Sequence, residues 1–233
     1  MTDTSVGIAR SLSEHAELRA LHSILATHNG SLDQLLTRHL KPSCRKNGKT
    51  ALLRYSLTVA HKSEHRADYD GLIHFDATHS LVLLYLGRPV ANLSFIFREQ
   101  NGQRSMRINQ IQGVSLRNFD KLHDLPKVLG TDTTDVFNHK RVTKKGLARI
   151  DWETALVETA VLFAEWSKNI ARVEIEPAQE CDYFYSVCDI ESADYFSDSQ
   201  ELVAQNERLK KRYDMTALRC GFALEKGIYT LKL

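Results

Sequence analysis

Glu174 and Glu176 stand two positions apart in a segment, Ala171 to Ile175 followed by Glu176-Pro177, that reads as a strand closed by proline. Side chains two apart on a strand share a face. The two carboxylates could flank a reacting group, and one could take a proton from it; the plainer reading is a solvent-facing pair. A second stretch, Met106 to Val114, reads as a strand that stops at a glycine. Its apolar residues at 106, 108 and 111 are separated by polar ones, and the rhythm breaks near Gln110. A ligand is expected near the end of this strand. A third stretch is basic: Arg141, Lys144, Lys145 and Arg149 surround Gly146-Leu147-Ala148. These side chains could neutralise the phosphates of a cofactor or of nucleic acid, or form a solvated basic loop.

Other arrangements carry less chemistry. His61, His65, His74 and His79 are close in sequence, but a metal needs three or four converging ligands with partners behind them. Exposed loop histidines and no metal are expected. The chain has no Gly-x-Ser-x-Gly elbow and no Gly-x-x-x-x-Gly-Lys-Ser/Thr loop, which argues against a serine hydrolase and a P-loop nucleotidase. Cys44, Cys181, Cys188 and Cys220 lack zinc-knuckle spacing and read as reduced thiols of a cytoplasmic protein. Lys210-Lys211-Arg212 reads as a solvated helix face.

The bulk numbers set bounds. With 31 basic and 29 acidic residues, the formal charge of +2 argues against a general nucleic-acid coat. No apolar run approaches the ~18 residues that span a bilayer, and the first residues have no apolar signal core. No membrane association is expected. A chain of 233 residues can bury a sizeable core.

The elements that must position these residues follow from periodicity. Apolar positions 18, 21, 24 and 25 predict a helix over 13–28, capped by Ser13 and stopped at Asn29-Gly30. Leu32, Leu35, Leu36 and Leu40 predict a second, capped by Ser31 and ended by Pro42. Residues 41–49 form a basic turn. Strands are predicted at 52–59, 71–75, 80–86, 90–98 and 105–113. The last three form an antiparallel meander, turned at Gly87-Arg88-Pro89 and Asn101-Gly102. The strand over 80–86 is nearly all apolar and fits burial on both faces. Residues 115–149 read as a long polar loop with a short helix around 116–125. Asp151 caps a helix over 152–169, and strand 171–175 follows. Residues 178–198 are acidic and tyrosine-rich. A helix over 199–219 and a final hairpin about Lys226-Gly227 close the chain. The fold class is α+β, or mixed α/β, around one sheet.

This order resembles the GNAT acyltransferase fold over roughly Ala51 to Leu233. The local matches are the strand ending in Gln112-Gly113, Gly146-Leu147-Ala148, and the closing RYDMTALRCGFALEKGIYTLKL. The resemblance implies a mostly antiparallel sheet with one parallel strand pair, flanked by helices. It divides the chain into an N-terminal helical hairpin over 1–49, packed on the core, and a GNAT-like domain over 50–233 with an insertion at about 115–149. It implies acetyl-CoA or another acyl-CoA as cofactor. The pyrophosphate would lie on Gly146 and Ala148 with Arg141, Lys144 and Lys145 around it, and the thioester oxygen on a backbone donor at Ile111 to Gly113. Thr143 stands where the family's loop has Gln or Arg. Ala217 stands at the family's general-acid tyrosine; Tyr213, one helical turn earlier, is the substitute. The frame also resembles VirK-type bacterial proteins, which have a strand ending in Gln-Gly.

The function expected is acyl transfer from a CoA thioester to the amine of a small molecule or protein, with Tyr213, Glu174 and Glu176 as catalytic groups. The alternative is a non-catalytic member of the fold that binds a protein partner through the 115–149 and 178–198 loops. A nucleic-acid-binding regulator is the third reading. An open cleft between 106–113 and 171–175 would favour the cofactor; a filled one would oppose it.

Overall fold

The computed structural model describes residues 4–45, 54–62, 77–114, 133–180 and 199–233. The expected strand at 71–75, the short helix near 116–125, His65, His74, Cys181, Cys188 and most of the tyrosine-rich segment lie outside them. Three helices come first: α1 (Thr4–Thr27), α2 (Asn29–His39) and the short α3 (Pro42–Arg45). Four strands follow: β1 (Tyr55–His61), β2 (His79–Tyr85), β3 (Arg88–Gln100) and β4 (Gln103–Gly113). Then come α4 (Thr133–Arg149), α5 (Trp152–Trp166), β5 (Ile170–Ile175), α6 (Ser199–Arg219), β6 (Ala223–Glu225) and β7 (Ile228–Lys232). The strands make one seven-stranded sheet in the order β1-β2-β3-β4-β5-β7-β6. All neighbours are antiparallel except β4 and β5, which are parallel. No helix among the described residues is long and apolar enough to cross a membrane.

Two expectations about boundaries fail. The first helix begins at Thr4, and Asn29-Gly30 starts α2 rather than ending α1, so Ser31 does not cap it. The second correction is larger. Residues 133–149, read as part of a loop, form the helix α4. Val142 and Leu147 pack on the core from it, and Thr143 and Gly146 are buried. Its polar sequence hid a narrow apolar stripe, and helices gain much of their stability from such packing rather than from local propensity.

The core lies between one sheet face and the helices. Leu81 and Leu83 of β2, Leu93 and Phe95 of β3, Met106 and Ile108 of β4, and Val173 and Ile175 of β5 are fully buried. The Phe163 ring of α5 meets Phe95 edge-on at 6.5 Å between centroids. Leu32, Leu35 and Leu36 of α2 join this core. Backbone bonds from Lys41 to Arg149 (2.9 Å) and from Asp151 to His39 (3.0 Å) tie the α2 end to the α4–α5 joint. The β3–β4 turn is made by Asn101 and Gly102 at φ +54° and +72°. Both central residues are left-handed, as the two-residue hairpin turn of an Asn-Gly pair requires.

One irregularity positions the site. The β3–β4 register shifts so that Ser94 faces Gln110 while Phe95 faces Ile108. Asn109 is the extra residue of a β-bulge. The bulge returns Ile111 to the core side shared with Ile108, and this is why the apolar rhythm breaks near Gln110.

Candidate functional site

β4 and β5 pair from Arg104 and Ile170 to Ile108 and Ile175, with a register shift after Arg104, and the Glu176 N–H makes one more bond to Ile108 O at 2.9 Å. Pro177 comes next. It has no N–H to continue the ladder, and a short 3-10 turn, Ala178–Glu180, carries the chain away. β4 runs on to Gly113 beside β3 alone. The parallel pair therefore diverges beyond the bulge.

Ile111 lies past the divergence. Its N–H donates to the Tyr213 hydroxyl at 2.8 Å. In an antiparallel strand this N–H points either to β3 or away from it; here it points to the side that β5 has left. Tyr213 is buried on α6, with Ala217 and Phe222 of the same segment also buried. Asp214, its neighbour, accepts from the Tyr229 hydroxyl at 2.8 Å, which fastens α6 to β7. Two sequence-derived residues, Ile111 and Tyr213, are thus brought together by elements about a hundred residues apart. The Tyr213 hydroxyl occupies the space at this donor. Two cavities of about 400 Å³ lie away from it, one between α1, α2 and β1 and one over the start of β4.

Gln112 and Gly113 have packing roles. The Gln112 side chain accepts from Gln110 Nε2 at 3.1 Å. Gly113 lies under Trp152 of α5, where a Cβ would come within 3.0 Å of the indole ring. Gln110 belongs to a buried polar stripe: Asn92 Nδ2 donates to Gln110 Oε1 at 3.3 Å and the Ser94 hydroxyl donates to it at 3.1 Å.

Glu174 and Glu176 do share a side, but they are not a solvent-facing pair. Glu174 is buried between Arg107 Nε (3.0 Å) and Arg172 Nε (2.7 Å). Glu176 takes Arg107 at 3.4 Å and Asn109 Nδ2 at 2.7 Å. Arg107 and Asn109 complete this network from β4. Their phase on β4, opposite to Met106 and Ile108, was the available signal.

The expected phosphate loop takes another form. Gly146, Leu147 and Ala148 lie in the last turns of α4, not where a loop enters a helix. A Cβ at Gly146 would sit 3.0 Å from both Tyr85 Cβ and Val90 Cγ1, and its carbonyl accepts from the Tyr55 hydroxyl at 2.7 Å. The glycine lets α4 lie close on the sheet. Gly146→Leu is therefore expected to lower stability by about 1–3 kcal/mol, read as a shift in denaturant midpoint; an unchanged midpoint would refute the packing role. Arg141, Lys144, Lys145 and Ala148 are exposed on the helix. Arg149 is engaged with the Tyr85 hydroxyl at 3.1 Å.

His61 and His79 are not loop residues. They face each other across β1 and β2, nearly fully buried, with ring centroids 5.4 Å apart. Burial, helped by His61 and the Arg104 charge, pulls the His79 imidazole down to about 4. No group of three or more metal-ligating side chains converges among the described residues. Cys44 and Cys220 are free thiols. Burial, then the Glu158 and Asp151 carboxylates, pushes Cys220 up to about 12, which leaves it unreactive. Compared with known proteins, the chain matches no family model, and no curated protein matches it.

Proposed function

We propose that the chain binds an acyl thioester where β4 and β5 diverge and presents it to an amine, in the manner of a GNAT-like protein. The bond from Ile111 N–H to Tyr213 carries this reading. It puts a main-chain donor and a phenol, the two groups acyl transfer draws on, at one point. An acyl carbonyl would take the Ile111 N–H in place of the phenol. When a neutral amine attacks the carbonyl carbon, the same N–H would hold the oxyanion. The C–S bond then breaks with its electron pair on sulfur. The displaced phenol could give the leaving thiolate its proton, and the phenolate so formed would take the proton that the amine nitrogen must lose, which restores the phenol. No covalent intermediate with the protein is needed. Glu174 and Glu176 supply no free base, because their oxygens are committed to Arg107, Arg172 and Asn109.

Acetyl-CoA or another acyl-CoA is the donor that the family resemblance implies. The thioester end suits the Ile111 donor. The pyrophosphate does not suit 143–148, where the backbone is helical. The N-terminus of α5 does not replace that loop, since Asp151 is its N-cap and Glu153 lies in its first turn. Two carboxylates stand where an anion would bind. Burial raises Glu153, which pairs with Arg212 at 3.2 Å. S-acetylpantetheine is therefore expected to bind within about tenfold of acetyl-CoA, each tenfold being ~1.4 kcal/mol. Isothermal titration with acetyl-CoA, longer acyl-CoAs and the pantetheine thioester tests this. Silence from all of them at millimolar ligand would overturn the reading. Where transfer is detected, Tyr213→Phe should slow it by roughly a hundredfold.

The occupied donor and the paired carboxylates favour a second reading: a non-catalytic protein of the same architecture that acts by binding a protein partner. A stoichiometric partner whose capture is unchanged by Tyr213→Phe, together with silence in the titrations, would support it.

A further inference from the structure

The face of β3, β4 and β5 opposite the core is charged near the start of β4. The register places Arg98 beside Ser105 and Ser105 beside Arg172. These three side chains form a row across three strands. Arg107 and Glu174 are neighbours in a row nearby. A cleft of about 400 Å³ opens over both rows and is lined by all five residues.

Three arginines, Arg98, Arg107 and Arg172, line this cleft. Glu174 takes Arg107 and Arg172, and Glu176 takes Arg107 and, at 3.7 Å, Arg98. Three guanidinium groups share the carboxylates of Glu174 and Glu176. Glu99 also borders the cleft, and its register partner Arg104 is bound to Glu17. Lys232, beside Arg172 in β7, is held by Glu225 at 3.0 Å. Arg98 reaches Glu176 beyond hydrogen-bond length. Arg172 meets Glu174 at 2.7 Å, but at an angle that makes no hydrogen bond. Both therefore keep donors to spare. Between them Ser105 is 4% exposed.

We propose that this cleft binds the carboxylate or phosphate group of a small anionic molecule, clamped by Arg98 and Arg172 with the Ser105 hydroxyl donating from the floor. Alternate strands lie about 10 Å apart, so two long side chains can close on one oxyanion from either side. The guanidinium fork matches carboxylate and phosphate oxygens in pairs. The cleft stands apart from Ile111, which lies about 20 Å further along β4 at ~3.3 Å per residue. It therefore stands or falls independently of acyl binding.

The test is titration calorimetry at low ionic strength with sodium phosphate and with sodium succinate, against sodium chloride as control. Binding of either anion, weakened about tenfold by Arg98→Gln and by Arg172→Gln and unchanged by Lys232→Gln, supports the site. The preferred anion names the ligand class. Arg98→Gln is the cleaner variant, because Arg98 is half-exposed and leaves the Glu174 pairs intact; its melting point should match the parent. Absence of binding by both anions at tens of millimolar, or binding equal in parent and Arg98→Gln, overturns it.

Discussion

Lowering the pH from 6.5 to about 4 is expected to destabilise the fold by roughly 3 kcal/mol through His79 alone. The side chain is 1% exposed, with the rings of Phe95 and Phe97 beside it. Among the described residues neither ring nitrogen has a hydrogen-bond partner. The charged groups facing it are Arg104, which opposes protonation, and Glu17, 3.9 Å from Nε2 and already bound to Arg104. The folded state therefore keeps His79 neutral, while the unfolded chain takes up a proton near the ordinary histidine value. The stabilisation is complete above pH 6.5 and is lost as pH falls through the folded value near 4. Urea midpoints measured across this window, in the parent and in His79→Phe, isolate the contribution. The variant should show a flatter profile by that amount. Parallel profiles would sink the assignment.

Glu174→Ala is expected to cost about 3 kcal/mol, the lower end of the range for breaking a buried ion pair. Glu174 is 5% exposed and holds two guanidinium groups. Removing it leaves Arg172 without a partner, while Arg107 keeps Glu176. That remaining pair places the effect at the lower end. Glu174→Gln should cost less, since the amide oxygen can still accept from one guanidinium. A Glu174→Ala protein with the parent's denaturant midpoint would show the network to be no more than a solvated surface pair. A general-base role predicts a different pattern, with activity lost and stability unchanged.

Much of the fold is legible in local pattern. The apolar run from Leu81 announces a strand buried on both faces, and β2 is one as far as Tyr85, with Leu86 exposed in the turn. Asn101-Gly102 and Lys226-Gly227 supply left-handed turn residues, and both close hairpins. The apolar face of Trp152 to Trp166 gives α5. These features depend on residues within a few positions of one another, so the sequence determines them directly.

The site was legible only in pieces. The broken rhythm at Gln110 marks the bulge, and Pro177 marks the end of β5. The pairing of Ile111 with Tyr213 joins a strand to a helix far along the chain, and no spacing encodes it. Gly146 shows the limit most clearly. In sequence, a glycine among basic residues looks like a phosphate loop. In the fold, Tyr85 and Val90 lie where its side chain would be, and the glycine serves helix–sheet packing. The histidines tell the same story: His79 is in phase with Leu81 and Leu83, yet only assembly of β1, β2 and α1 removes it from water. What the sequence by itself determined was the order of elements and the faces they bury. Tertiary structure decided which polar groups meet, because desolvation and ion pairing depend on neighbours that the chain brings together only when the sheet is complete.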